Sequence, residues 1–212
     1  MIKQFTFNHF EVNCYVIADD STRQCAIVDP ACEASFEDEQ LFQYIEHEQL
    51  QPVMVLLTHA HVDHIAGLRQ TCQRYQLPVT MHADGRKLLR QAEAYGSVMG
   101  FAVDDMSDLE VNEVADDEVL HLGATDIECR YVPGHCPGSM CYVLHDAQAV
   151  ITGDALFHFS IGRTDLPGGD YPTLIEKLKT RILVLPADYT VLPGHGISSQ
   201  IGRERKYNSF LA

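Results

Sequence analysis

The 212-residue chain, with 46% hydrophobic and 21% charged residues, is long enough for one domain with a substantial core, read here as residues 1–212. A formal net charge of -15 argues against nucleic acid as a partner, because like charges repel at long range. No apolar run approaches the roughly 18 residues of a membrane span. The N-terminus also lacks the basic-then-apolar order of a signal peptide, so no membrane association and a cytoplasmic location are expected.

Ile2 to Phe7, Asn13 to Ala18 and Gln24 to Asp29 read as short strands, the last two joined by the turn-rich ADDSTRQ. Phe36 to Glu48 places apolar residues at helical spacing. Val53 to Leu57 is an apolar, β-branched run with the length of a buried strand. It ends in Thr58, His59, Ala60, His61, Val62, Asp63 and His64. Ile65 to Tyr75 reads as a helix for which Asp63 stands as an N-cap candidate. A strand at Pro78 to His82 and a helix near Gly85 to Ala94 follow. From Gln91 to Cys129 there are eleven acids and no Lys or Arg, with eight of the acids between Asp104 and Glu118. That stretch reads as a solvated face, with a docking surface for a basic partner as the alternative. Strands are expected at Asp126 to Val132, Met140 to Leu144, Ala149 to Thr152 and Tyr189 to Leu192, and a helix at Thr173 to Thr180. The cysteines at 14, 25, 32, 72, 129, 136 and 141 are odd in number and contain no CxxC pair. They read as small buried apolar residues in a reducing compartment.

Three imidazoles and a carboxylate directly after a buried strand would each cost about several kcal/mol if buried unpaired. A divalent metal gathers such groups, and imidazole with carboxylate suits zinc, iron or manganese. Four apolar runs end in a residue of this type: VMVLLT before His59, CRYVPG before His135, AVITG before Asp154 and TVLPG before His195. Three of them arrive through glycine, which permits the positive φ of a sharp turn. In α/β sheets, sites form beyond such strand ends. No GxSxG elbow is present, which fits water as the nucleophile.

The run from Thr58 to His64 resembles the THxHxDH signature of the metallo-β-lactamase superfamily. PGHCPGS at Pro133 to Ser139, Gly153-Asp154 and Pro193-Gly194-His195 resemble its later metal motifs in the same order. The resemblance implies an α/β (α+β) fold: a four-layer αβ/βα sandwich of two mixed β-sheets, helices on the outer faces and metals at one end. It implies two divalent ions per chain, zinc first, with iron or manganese as alternatives. His59, His61 and His135 would hold one, Asp63, His64 and His195 the other, and Asp154 would bridge them. Asp63 and Asp154 carry over as the catalytic carboxylates around a metal-held hydroxide. Asp29 is expected to orient a ligand imidazole, or else to be a plain strand-end Asp before Pro30.

Within the superfamily, the motifs and SIGRTDLPGGD, Ser160 to Asp170, resemble small glyoxalase II-like (hydroxyacylglutathione) hydrolases. The implied partner is a small-molecule thioester, with Arg163 either gripping its carboxylate or bracing the loop against Asp165 or Asp170. Only 17 residues follow His195, so the helical C-terminal domain of glyoxalase II proper is not expected. Cys136 stands where the family motif has Thr, as an inert thiol or an oxidation-sensitive one. The competing reading is a mononuclear iron persulfide dioxygenase, which shares the Gly162-Arg163-Thr164-Asp165 stretch; Pro137 to Ser139 favour the hydrolase. A metal-holding module without turnover is the reading from another class.

Overall fold

The structure, a computed structural model, describes residues 1–211. Strands β1 (Ile2–Phe7), β2 (Val12–Ala18) and β3 (Gln24–Val28) form an antiparallel meander. Helix α1 (Ser35–His47) then crosses back to β4 (Gln51–Leu56), parallel to β3. After the histidine loop come α2 (Leu68–Tyr75), β5 (Val79–Met81), α3 (Arg86–Arg90), α4 (Ala92–Met99) and β6 (Val111–Glu113). These strands make a mixed six-stranded sheet in the order β1-β2-β3-β4-β5-β6. A second antiparallel meander follows: β7 (Val119–Leu122), β8 (Thr125–Tyr131), β9 (Met140–Leu144) and β10 (Ala149–Gly153). A small hairpin, β11 (Leu156–Phe157) and β12 (Ser160–Ile161), leads to α5 (Tyr171–Lys177), which runs on into a π-helical turn at Leu178–Ile182. Strand β13 (Thr190–Pro193) lies parallel to β10, and β14 (Ser199–Gln200) and α6 (Ile201–Tyr207) close the chain. The second sheet has the order β14-β13-β10-β9-β8-β7.

The period-two alternation of the central strands builds the layers. On β2, Tyr15 and Ile17 enter the core between the sheets, whereas Cys14, Val16 and Ala18 point out toward Leu41 and Ile45 of α1. On β9, Tyr142 and Leu144 point into the core between the sheets, and Cys141 and Val143 face Leu174 and Leu178. Strands apolar on both faces are covered on both sides, and the result is the expected four-layer sandwich of two mixed sheets flanked by helices. All seven cysteines are buried and unpaired, acting as small apolar side chains. None of the described helices is long and apolar enough to cross a membrane.

Two helix boundaries differ from expectation. The helix expected from Ile65 begins at Leu68 behind Gly67, so Asp63 is not its cap. Tight turns consume the intervening residues: His64 N donates to His61 O at 3.0 Å and Ile65 N to Val62 O at 3.4 Å. The helix expected at Gly85 to Ala94 breaks at Gln91, and its second piece runs on to Met99, where Gly100 ends it at φ 87°. The acidic segment is partly matched by cations from other elements: Arg69 pairs with Asp108, Arg86 with Glu113, and Arg181 with Asp116 and Asp117.

Candidate metal centre

Strand direction brings the ligand-type residues to one edge. Since β8 and β10 are both antiparallel to β9, they run the same way, and β13 is parallel to β10. Their C-terminal ends deliver His135, Asp154 and His195. The end of β4 delivers His59, His61, Asp63 and His64 from the other sheet. Backbone hydrogen bonds tie the sheets here, from Met140 N to Thr58 O and from Asn13 N to Gly194 O, both 2.7 Å. Gly134 and Gly153 have the positive φ expected at a sharp strand-end turn, 123° and 47°. Gly194 has a different reason to be glycine. A Cβ there would overlap Asp154 Oδ1 and lie 2.8 Å from His64 Cε1.

The side chains converge in two groups. His59, His61 and His135 each present a ligand atom within 4.8 Å of the others, with Cys136 beside them, and so do Asp63, His64 and His195. His61 Nδ1 lies 3.0 Å from His135 Nε2, and His64 Nε2 lies 3.3 Å from His195 Nε2. Asp63 Oδ2 is 3.3 Å from His195 Nε2. Asp154 faces both groups, with Oδ1 3.3 Å from His64 Nε2 and Oδ2 3.7 Å from His135 Nε2 and 3.5 Å from His195 Nε2. Asp29 lies one layer out. It accepts from Thr58 N at 2.7 Å and Thr58 Oγ1 at 2.6 Å, and its Oδ2 is 3.0 Å from His64 Nδ1.

Four of the five imidazoles are anchored through Nδ1. The anchors are Thr58 Oγ1 for His59 at 3.0 Å, Asp29 for His64, the Arg163 carbonyl for His135 at 2.8 Å and the Phe10 carbonyl for His195 at 2.9 Å. A carbonyl only accepts, so His135 and His195 donate from Nδ1 and, when neutral, carry bare lone pairs on Nε2. Those lone pairs point at the same small volume. His59 Nε2 and Asp154 Oδ1 are buried there without any hydrogen-bond partner. Adjacent ligands of a tetrahedral ion with bonds of about 2.0–2.1 Å stand about 3.3 Å apart, which matches the nitrogen spacings. Orphaned buried atoms, convergent lone pairs and ion-compatible spacing together fit a divalent cation in each group.

The protonation preferences split along the same lines. Burial, then the neighbouring imidazoles, push His59 well below its ordinary value and His61 down to about 4. Burial also lowers His135. Burial works against a charged His64 as well, but Asp154 and Asp63 outweigh it and raise that imidazole; Asp63 and Asp154 raise His195 in the same way. Burial alone would raise the carboxyls of Asp63 and Asp154, yet the imidazoles facing them hold both below the ordinary range. Metal binding there would displace the protons that the carboxylates favour on His64 and His195.

Above the centre lies a cleft of about 490 Å³, whose floor includes His61, Asp63, His135, Asp154 and His195. Arg163 lines it, as expected for a residue of the 160–170 loop. Its guanidinium is held by Asp165 through two bonds of 2.8 Å, while Asp170 caps α5 by accepting from Thr173 N. The Cys136 thiol is buried and pushed up to about 12, which keeps it neutral. The remaining six histidines lie outside both groups. The carbonyl anchors at Phe10 and Arg163 have no sequence signature, because every residue has a carbonyl. The apolar cleft wall from α4 was hidden by the early end expected for that helix.

The comparisons agree with this geometry. Residues 8–195 match the family described as the metallo-beta-lactamase superfamily. A probable metallo-hydrolase of Bacillus subtilis, YqgX, is 36% identical over 95% of this chain and 92% of its own length. The hydroxyacylglutathione hydrolase GloC of Haemophilus influenzae is 36% identical over 95% and 93%. Among solved structures, the BLEG-1 B3 metallo-beta-lactamase superposes with a TM-score of 0.90 at 32% identity over the whole of both chains. TTHA1623 in a di-iron-bound form gives 0.88 at 31% over 99% and 100%, and ETHE1 from Myxococcus xanthus gives 0.81 at 26% over 99% and 83%. With two mixed sheets, strand ends that converge on a His/Asp cluster and a match spanning both, the chain belongs to the metallo-beta-lactamase superfamily of metal-dependent hydrolases.

Proposed function

We propose that the protein is a dinuclear metal-dependent thioester hydrolase acting on hydroxyacylglutathione-like substrates. The observation that carries this reading is Asp154, whose carboxylate faces His64 through one oxygen and both His135 and His195 through the other. In this reading, His59, His61 and His135 would hold one ion and Asp63, His64 and His195 the second, and Asp154, which faces both groups, would serve both. The nitrogen and oxygen donor set suits zinc, with iron or manganese as alternatives. Bound there, two ions supply a water acidified toward a pKa of about 7 and polarisation of the substrate carbonyl.

The chain's own residues do the rest. Thr58, Asp29 and the carbonyls of Arg163 and Phe10 fix the four anchored rings so that their Nε2 atoms point inward. Asp63 and Asp154 stay ionised and orient the attacking water. Arg163 sits where it can trade its exposed pairing with Asp165 for a substrate carboxylate. The likeness to GloC supports the thioester substrate, and seven unpaired buried thiols fit a reducing compartment such as the cytoplasm.

The likeness to ETHE1 keeps a second reading in view, a mononuclear iron persulfide dioxygenase. One experiment separates them. As purified, the protein should release glutathione from S-D-lactoylglutathione without oxygen uptake. Oxygen consumption on glutathione persulfide, with the thioester left intact, would move the assignment to the dioxygenase.

A further inference from the structure

The cleft has a lopsided chemistry. One wall, from α3 and α4, presents Leu88, Tyr95, Val98 and Met99. Val98 is 82% exposed and Met99 45%, and with Tyr95 at 40% they share one face of α4 at i, i+3 and i+4. Among the described residues, Arg163 is the only Lys or Arg lining the cleft, and it belongs to the 160–170 loop, not to α3 or α4. No Lys or Arg occurs between Gln91 and Cys129, so α4 and the chain that follows bring no cation to this wall. The wall has little to offer an anionic or multiply hydroxylated group, and much to offer a hydrocarbon chain.

The wall also leads directly to the metal-facing residues. Phe10 lies in the cleft, its ring 5.1 Å from Phe101 in an edge-on contact, while its carbonyl holds His195. Phe101 is buried just beyond the Gly100 stop of α4. The apolar wall and one of the metal-facing rings therefore share a fixed support.

We propose that the Leu88–Tyr95–Val98–Met99 wall is an acyl-binding face that favours thioesters with longer apolar acyl chains. This rests on the thioester hydrolase reading above and extends its substrates beyond short hydroxyacyl groups. A cleft of about 490 Å³ lies within the range of about 300–1,000 Å³ typical of small-molecule sites. Each methylene buried against the wall should tighten binding about three- to fourfold until the wall is covered.

The test uses a neutral thiol, N-acetylcysteamine, so that charge plays no part. Its ethyl and octyl thioethers lack the thioester carbonyl, have no thioester to hydrolyse, and report binding alone by calorimetry on the metal-loaded protein. The octyl thioether should bind at least tenfold more tightly than the ethyl one. Val98→Asp should bring the two within about threefold, whereas Val184→Asp, at an exposed apolar residue outside the cleft, should leave the ratio unchanged. Equal dissociation constants in the unaltered protein, or a ratio that survives Val98→Asp, would overturn the proposal. In parallel, kcat/KM for the acetyl-to-octanoyl thioesters should climb with chain length. Hydrolysis of S-D-lactoylglutathione with no chain-length dependence in either assay would reject the acyl face and keep the hydrolase. Tight octyl binding without turnover of any thioester would reject the hydrolase instead.

Discussion

The Tyr142 hydroxyl, rooted in one sheet, donates at 2.7 Å to the carbonyl of Leu57 in the other, two residues before His59. Tyr15 returns the arrangement, donating at 2.7 Å to the carbonyl of Pro193, two residues before His195. Each sheet thus steadies the strand end from which the other delivers a ligand-type histidine. Both tyrosines are fully buried, so each hydroxyl needs its acceptor.

Tyr142→Phe should cost about 1–3 kcal/mol, because a buried carbonyl loses its side-chain donor. Tyr15→Phe should cost less, since Asn13 Nδ2 also donates to the Pro193 carbonyl, at 3.0 Å. Urea unfolding of the two variants checks the order. Equal losses would mean that the shared acceptor gives no cover.

Asp29→Asn should lower metal affinity about 10–100-fold without unfolding the protein, because Asp29 orients His64 while accepting from Thr58. His64→Ala should remove one ion and most hydrolysis. The control is His47→Ala, on a side chain 85% exposed at the end of α1, which should leave metal content unchanged. Metal titration against a competing chelator reads all three.

How much of this was legible in sequence depends on the kind of group involved. His59, His61, Asp63, His64, His135, Asp154 and His195 stand out because costly side chains follow apolar runs, and strand direction then brings them together. The anchors beneath them are invisible where they are backbone carbonyls, as at Phe10 and Arg163. Gly96 misleads in a different way. The helix expected to end near Ala94 runs on through it, and glycine is required there because a Cβ would press to 3.1 Å from the Phe101 carbonyl. Strands β6, β7 and β14 have four residues or fewer, too short for alternation to show.

Asp38 gives a pH signature unconnected with metal. Burial raises its carboxyl from 3.8 to about 6, with the Cys32 hydrogen bond opposing and Glu37 adding to the rise. A raised folded value means that stability is full below pH 3.8 and is lost as pH climbs toward about 6. The full shift corresponds to about 3 kcal/mol, reduced to about 1 kcal/mol because the group is only half-buried. Asp38→Asn should therefore stabilise the protein by about 1 kcal/mol at pH 7 and have little effect near pH 4. Thermal melts across that range decide it, and a benefit that is largest at low pH would contradict it.

Arg163→Ala distinguishes a substrate grip from a loop brace. Because the Arg163–Asp165 pair is exposed, its loss should leave Tm and metal content unchanged. If the guanidinium binds a carboxylate, KM for S-D-lactoylglutathione should rise while kcat holds and neutral thioesters are unaffected. A lowered Tm with equal loss on all substrates would assign it to the loop.

The most direct measurement is metal stoichiometry. Elemental analysis of protein purified without chelator should find about two equivalents of zinc, iron or manganese per chain, falling to about one in His64→Ala, as two ligand groups sharing Asp154 require. A reproducible single equivalent in the unaltered protein, retained in full by His64→Ala, would contradict the dinuclear centre.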